Sequence, residues 1–435
     1  MRQSVPLTEQ KYLAPLVLVT SLFFLWALGV NLNDILIPHL KKAFSLTDTQ
    51  SSLIQAAFFG GYFLAALPAG RIMERIGYKR GIILGLLICA TGTVLFIPAA
   101  TVRVYGFFLF ALFIMACGQS FLEVGANPYV TTLGPAASSE RRLNLAQSFN
   151  SVGAVLTPVI GAAFILTNAQ YSPEQLGAMT PSQLEAYRAA EASTVKGPYL
   201  AITCIFLLVA LMIYLARLPE IHEVSDGEDR AQAPRWSAVL AHPHLIKGVV
   251  AQFFYVGAQV GVASFIIRFA QHTSPGLSEK VAADYLKLHL LGFMIGRFAG
   301  SAIMKVIPAP RLLSIFAGGS LVAIVVAIST SGAVPVWAVV LVGFFHSIMF
   351  PTIFALSVKG LGPHTKRGSS LLVMSIIGGA IIPVVMGYIS DTSNIQKAFI
   401  VPFFCYLYVL YFALRGYRPM AAEADRTVPV GVQAQ

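Results

Sequence analysis

The sequence is short of charge. Only 11% of its 435 residues are Asp, Glu, Lys or Arg, where a soluble chain carries about 25%. The deficit runs along the whole length. That excludes a soluble domain hung on a single anchor and sets lipid around the entire protein. Cysteine is scarce as well. Cys89, Cys117, Cys204 and Cys405 all lie inside apolar runs and form no spaced pair. This excludes a disulfide framework or metal ligands and reads all four as small core hydrophobes. No basic run with interleaved polar residues occurs, so the net charge of +11 does not point to nucleic acid. No Ser/His/Asp set, paired metal ligands or appended soluble domain stands out. The expectation is therefore a protein that is not an enzyme and needs no metal or organic cofactor. The first apolar segment lacks a small-residue cleavage site and is too long for a signal core, so it is expected to be retained.

What the sequence does hold is apolar length: 56% hydrophobic residues and a mean hydropathy of +0.73. A bilayer core about 30 Å thick takes roughly 20 helical residues to cross. Twelve runs meet that need, near 12–39, 47–70, 80–101, 104–133, 142–167, 197–217, 244–271, 283–306, 311–330, 334–359, 368–390 and 394–415. Two polar segments interrupt them, 168–196 and 218–241. The first has helical composition and no evident chemistry. The predicted fold is all-α and integral to the membrane, with twelve transmembrane helices in two pseudo-symmetric six-helix bundles. The bundles are 1–217 and 242–419, joined by a cytoplasmic linker at 218–241 and followed by a disordered tail at 420–435. With both termini in the cytoplasm, roughly two-thirds of the 30 lysines and arginines fall on the inner side, as the positive-inside rule demands. The expected location is the cell inner (plasma) membrane, multi-pass.

The chain repeats itself. "LGP" closes the fourth run at 133–135 and recurs at 361–363 after the tenth. "RR" at 141–142 precedes Pro158 and "KR" at 366–367 precedes Pro383, each proline standing 16 residues after the second base. "AGR" at 69–71 echoes "IGR" at 295–297. A parallel repeat of six and six helices is the plan of the major facilitator superfamily. The stretch "GRIMERIGYKR" resembles that superfamily's loop between its second and third helices, with Gly70, Glu74, Arg75, Gly77, Lys79 and Arg80 in the motif positions. In the family this loop latches the two halves on the cytoplasmic side, so Gly70, Glu74, Arg75, Gly77 and Arg80 are the expected cytoplasmic gate. The second copy, "GRFAGSAIMKVIPAPR", is degenerate.

Polar residues recur at helical spacing within the apolar runs. Asn31 and Asp34 share a face. Gln119, Glu123 and Asn127 form a second stripe; Asn144, Gln147 and Asn150 a third; Gln252, Tyr255 and Gln259 a fourth. Hydrocarbon offers such groups no partners, so these faces look at one another or at water. The two acids matter most. A carboxyl at a helix centre costs about 2.5–3.5 kcal/mol on insertion scales, and neither Asp34 nor Glu123 has a Lys or Arg within one turn of its own helix. Arg268 and Arg297 are the main candidate partners from elsewhere. An unpartnered carboxyl in a poorly solvated cavity favours its neutral form, so both acids are read as proton-handling groups. Pro128, which cannot donate to the Val124 carbonyl, is expected to bend its helix one turn beyond Glu123. The carboxy half has no mid-span acid. Its inward candidates are Tyr255, Gln259, Phe265, His346, Phe350 and Phe354, with His346 expected to be neutral and bonded to a backbone carbonyl. Amides and acids on one wall facing aromatics on the other suit a sugar, which has hydroxyl edges and C–H faces.

Several segments together resemble one branch of the superfamily. "SLFFLWALGVNLNDILIPHL", "SFLEVGANPYVTTLGP", "RRLNLAQSFNSVGA", "YVGAQ", "GRFAG", "FPTIFAL" and "GSSLLVMSIIGGAIIPVVMGYISD" are similar to the L-fucose:proton symporter family and its glucose/galactose relatives. The resemblance implies sugar uptake driven by proton entry through alternating access, the proton being the coupling ion. It implies Asp34 and Glu123 as the proton-coupling acids. It implies sugar contacts from Trp26, Asn31, Glu123, Gln147, Asn150 and Gln259, to which the stripes add Asn127 and Tyr255. One departure stands out. Fucose transporters of this branch have Trp after "YVGAQ", where this chain has Ala263 before Ser264. The lost stacking face leaves L-fucose, galactose and glucose all open. The expected partners are a monosaccharide and the lipid bilayer, in a monomer. A sugar uniporter and a proton-coupled exporter of small metabolites are the alternative readings.

Overall fold

The structure, a computed structural model, describes residues 5–44, 48–164, 175, 178–193, 196–216, 218–219, 236–274 and 276–419; the side chains of 29–30, 32–44, 48–52, 158–164, 188, 190–193 and 279 lie outside that description. Most of the 218–241 linker and the whole 420–435 tail also fall outside the described residues. Every regular element among the described residues is helical. The first half comprises α1 (Gln10–Phe44), α2 (Asp48–Val102), α3 (Tyr105–Thr132), α4 (Ser139–Phe164), α5 (Pro181–Ser193) and α6 (Lys196–Leu215). The second comprises α7 (Trp236–Leu240), α8 (Pro243–Thr273), α9 (Glu279–Ile303), α10 (Ala309–Ser329), α11 (Val334–His346), α12 (Met349–Val358), α13 (Thr365–Met374), α14 (Gly378–Thr392), α15 (Ile395–Ala398) and α16 (Ile400–Tyr411).

Ten helical stretches among the described residues are long and apolar enough to cross a bilayer. One of them, Leu53–Val102, has 50 residues. At 1.5 Å per residue it would run about 75 Å, far beyond a core of about 30 Å. It breaks at Gly77, with φ 81° and ψ 171°, and so crosses twice. With α4 added, the crossings number twelve, as the apolar runs predict. The backbone at Gly77 lies in a region open essentially to glycine alone. Gly77→Ala is therefore expected to destabilise the protein by roughly 1–3 kcal/mol, read as a lower melting temperature in detergent. An unchanged melting temperature would mean the turn relaxes without strain.

Leu64, Leu208, Leu215, Val322, Val384 and Phe404 are exposed on the outer surface, the side that faces acyl chains. Cys204 is exposed there too, while Cys89 and Cys405 are buried and Cys117 is intermediate. The reading of all four cysteines as core residues thus fails for Cys204. In a bilayer an outward thiol still has an apolar environment, so hydropathy alone cannot tell the two positions apart. The described part of the 168–196 segment forms α5, which packs on α1 and α2 and pairs Glu185 with Arg103.

Two breaks in the second half shape the interior. The tenth crossing divides between α11 and α12 at Ser347–Ile348, and the eleventh divides at a 3-10 turn, Ser375–Ile377, between α13 and α14. Helices α2, α3 and α4 of the first half meet α9, α12, α13 and α14 of the second. The polar stripes converge on that interface.

Candidate functional site

A cavity of about 170 Å³ lies between the halves. From the first half, α1 contributes Trp26 and Asn31, α3 contributes Glu123, and α4 contributes Gln147 and Asn150. The opposite wall has Gln259 of α8, Arg297 of α9, Phe350 from the start of α12 and Ile376 from the 3-10 turn. Phe58, Phe59 and Tyr62 of α2 form an aromatic corner. Tyr62 is fixed by its hydroxyl, which donates to Gln119 Oε1 at 3.1 Å. Trp26 is held flat by a stack on Phe23, 4.9 Å between ring centres.

A chain of hydrogen bonds crosses the cavity. Asn127 Nδ2 donates to the backbone oxygen of Glu123 at 3.1 Å and to its carboxylate at 3.4 Å. Asn127 Oδ1 accepts from Gln147 Nε2 at 3.0 Å. The Gln147 carbonyl and Oε1 accept from Arg297 Nη1 at 2.6 and 3.3 Å, and Asn150 Oδ1 accepts from the same nitrogen at 3.4 Å. An acid of the first half is thus joined through two amides to a guanidinium of the second.

Local chemistry explains where Arg297 sits. Pro351 has no N–H to give to the carbonyl four residues back, that of Ser347. Arg297 Nε donates to that carbonyl at 3.1 Å, and its guanidinium lies 4.4 Å above the Phe293 ring. It also interacts electrostatically with Glu123 and Tyr255, but Glu123 makes no ion pair among the described residues.

Of the residues singled out from sequence, Trp26, Asn31, Glu123, Gln147, Asn150 and Gln259 come together around this cavity. Asn127 stands behind it as the link between Glu123 and Gln147. Tyr255 is fully buried one layer back, its ring 6.4 Å from Phe350. Phe265 lies under the Arg268 guanidinium at 4.4 Å, and Phe354 stacks behind Phe350; neither lines the cavity. The Asp34 side chain lies outside the described residues. His346 departs from expectation. Its Nδ1 is 3.0 Å from the Tyr406 hydroxyl, while the neighbouring His289 meets a backbone carbonyl, that of Val339. The break after His346 turns its ring into the α8–α9–α16 core, where the Tyr406 hydroxyl is within reach. Pro128 is accommodated inside an unbroken α3.

A second constellation lies where α2 meets α13 and the start of α4 meets the end of α12. Glu74 accepts from Arg367 of α13 through both oxygens, at 2.5 Å from Nε and 3.0 Å from Nη2, and from Arg71 at 3.2 Å. The Arg367 guanidinium rests 5.0 Å over Trp236. Glu140 pairs with Lys359 at 2.8 Å, a second ion pair between the halves. Gly70 meets α13 so closely that a Cβ would sit 2.8 Å from Ser370. Lys79 instead bonds the carbonyls of Tyr214 and Ala216 at the end of α6, where a cation is favoured by the helix dipole. Arg75 and Arg80 line a cavity of about 600 Å³ beside the break.

Arg367, Arg297 and Tyr62 carry much of this geometry; sequence does not single out Arg367 or Tyr62, and it offers Arg297 only as a candidate partner of the acids. Arg367 is embedded in a basic loop that the positive-inside rule already explains. Tyr62 sits in an unbroken apolar run. Arg297 left a signal, as one of the few cations inside an apolar run, and "IGR" marked its place in the repeat.

The sequence model of the Major Facilitator Superfamily matches residues 19–376. The chain is 42% identical over 411 residues to a glucose/galactose transporter of Brucella abortus biovar 1 (strain 9-941), covering 94% of this chain and 95% of that one. It is 43% identical over 411 residues to the L-fucose-proton symporter of Escherichia coli (strain K12), covering 93% of each. Among solved structures, the crystal structure of a major facilitator transporter, FucP, in the outward conformation superposes with a TM-score of 0.86 at 43% identity, covering 93% of this chain and 99% of that one. The proton:xylose symporter XylE gives a TM-score of 0.72 at 12% identity over 93% and 96% of the two chains, a likeness of fold alone.

Proposed function

The chain belongs to the Major Facilitator Superfamily, and from that premise we propose that it imports a monosaccharide of the glucose, galactose or L-fucose type together with a proton. The observation that carries this reading is the make-up of one small cavity. It sets a carboxyl without an ion-pair partner and four amides among five aromatic rings, with a hydrogen-bond chain joining its two walls. Carbohydrate hydroxyls pair with the amides and the carboxyl, and the ring faces of the sugar lie against Trp26 and Phe350. The volume of about 170 Å³ is below the ~300–1,000 Å³ of drug-sized pockets and favours a single sugar ring over a broad exporter substrate. The names of two relatives above 40% identity point to the same substrate class.

In this reading Glu123, with Asp34, carries the proton. Protonation removes a charge that would otherwise be occluded with the sugar. Residues 1–217 and 242–419 rock about the cavity, linked by 218–241, with both termini in the cytoplasm. The Glu74–Arg367 and Glu140–Lys359 pairs hold the cytoplasmic end shut. The cavity is complete within one chain, and the protein acts as a monomer without organic cofactor or metal.

A thermal-shift panel of glucose, galactose, L-fucose and xylose on the purified protein tests the substrate. Ligand stabilisation follows RT ln(1 + [L]/Kd), about 2.7 kcal/mol at 100-fold excess over Kd. One or two hexoses are expected to raise the melting temperature, and the shift is expected to shrink with Gln147→Ala. A panel in which no monosaccharide moves it would overturn the sugar reading.

A further inference from the structure

Within the α8 stripe, Gln252 lies farthest from the cavity. It is fully buried, and neither its Oε1 nor its Nε2 has a hydrogen-bond partner. Buried amides in folded proteins are almost always paired, so such an orphan calls for an explanation. Gln259, seven residues later, lines the cavity. At 1.5 Å per residue, Gln252 stands about 10 Å from it along the helix. The direction is toward the latched end. His244, in the first turn of α8, bonds the Lys359 carbonyl, and Lys359 pairs with Glu140.

Helix α4, which lines the same cavity from the other half, repeats the arrangement. Gln147 and Asn150 of α4 line the cavity, while Asn144 does not. Asn144 is six residues before Asn150, about 9 Å nearer the latched end. Its Oδ1 is buried without a partner, and its Nδ2 donates to Thr352 Oγ1 across the interface at 3.0 Å. That bond must break when the halves part. Helix α12, which carries Thr352, packs against both α4 and α8. Two amides of opposite halves therefore wait at matching depth, sealed from water, with unsatisfied atoms of the kind that surround the cavity.

We propose that Gln252 and Asn144 form an inner binding station for the sugar, filled only after the latched end opens. This rests on the reading of the protein as a monosaccharide symporter. As the halves part at that end, Asn144 loses Thr352, and the hydroxyls released by Gln259 and Asn150 pass to Gln252 and Asn144. The unpaired amides disfavour the latched state, and sugar on the station favours the open one. The orphaned atoms thus bias the cycle toward release.

The test is sided transport of the best sugar from the thermal-shift panel, in right-side-out and inside-out membrane vesicles. Gln252→Leu is expected to leave the half-saturation concentration for outside sugar within about twofold of wild type, and to raise that for inside sugar about tenfold. Gln252→Asn, which keeps the amide, is expected to recover most of the loss. Asn144→Ser, an independent variant, is expected to raise the inside value by several-fold. Inside values unchanged in Gln252→Leu, or in Asn144→Ser if Gln252→Leu does not insert, overturn the station while leaving the symporter reading intact. A wild type that exchanges no monosaccharide from either side overturns both.

Discussion

Glu123→Gln is expected to abolish uphill accumulation of sugar while leaving sugar exchange at equilibrium intact. The side chain is 6% exposed, and its carboxylate has one weak hydrogen bond, the 3.4 Å contact from Asn127. Glutamine keeps the shape and the contact but cannot take or release a proton. One charge moving through 100 mV supplies about 2.3 kcal/mol, and about 1.4 kcal/mol corresponds to a factor of ten. Wild-type protein should therefore concentrate sugar roughly 40-fold at 100 mV, and the variant should equilibrate it. Two measurements check this. Labelled sugar counterflow should persist in the variant, and the rise in external pH on adding sugar to de-energised cells should vanish. Accumulation that survives the substitution would move the coupling proton elsewhere, with Asp34 the next acid to replace. A wild type that never alkalinises the medium would make the protein a uniporter, with Glu123 a structural acid.

The features that sequence made legible are those that one helix encodes alone. Spacing at i, i+3 and i+6 was enough to bring Gln147 and Asn150 to the cavity, because a polar face in hydrocarbon has only one direction to turn. The same argument turns Asn144 and Gln252 inward without saying how far along the helix the cavity lies. Periodicity fixes a face but not a depth, and both residues lie on the inward face below the cavity. What sequence hid are pairings between helices far apart in the chain. Glu74 and Arg367 are 293 residues apart, and each alone reads as part of a charged loop. The place of Arg297 depends on a carbonyl freed by Pro351, a local event on another helix. Tyr62 carries no polar neighbour in sequence and declares itself only through Gln119. The break at Gly77 shows the opposite case. The loop motif was legible, but helix continues through most of it, and only the glycine turns the chain.

Removing the latch acid should produce the second large effect. Glu74 and Arg367 form a two-pronged pair with side-chain exposures of 12% and 3%. Breaking a buried pair by removing one partner typically costs about 3–5 kcal/mol. For Glu74→Gln the lower end is expected, because Arg367 keeps its stack on Trp236 and Gln can still accept one hydrogen bond. About 3 kcal/mol is a shift of more than 100-fold in the equilibrium between latched and open states. Sugar arriving from outside would then find its binding state depleted, and its apparent affinity would fall in proportion. Ser369, fully buried in α13 beside the latch, offers the readout. In a background with the four native cysteines changed to alanine, Ser369→Cys should react with a maleimide about 100-fold faster once Glu74→Gln is added. Arg367→Leu alone should do less, because Glu74 retains Arg71 at 3.2 Å. The double variant Glu74→Gln/Arg367→Leu leaves neither charge of the pair buried, and Glu140–Lys359 still ties the same end, so much of the protection should return. A labelling rate within twofold of the parent in Glu74→Gln would show that the pair reports the latched state without holding it.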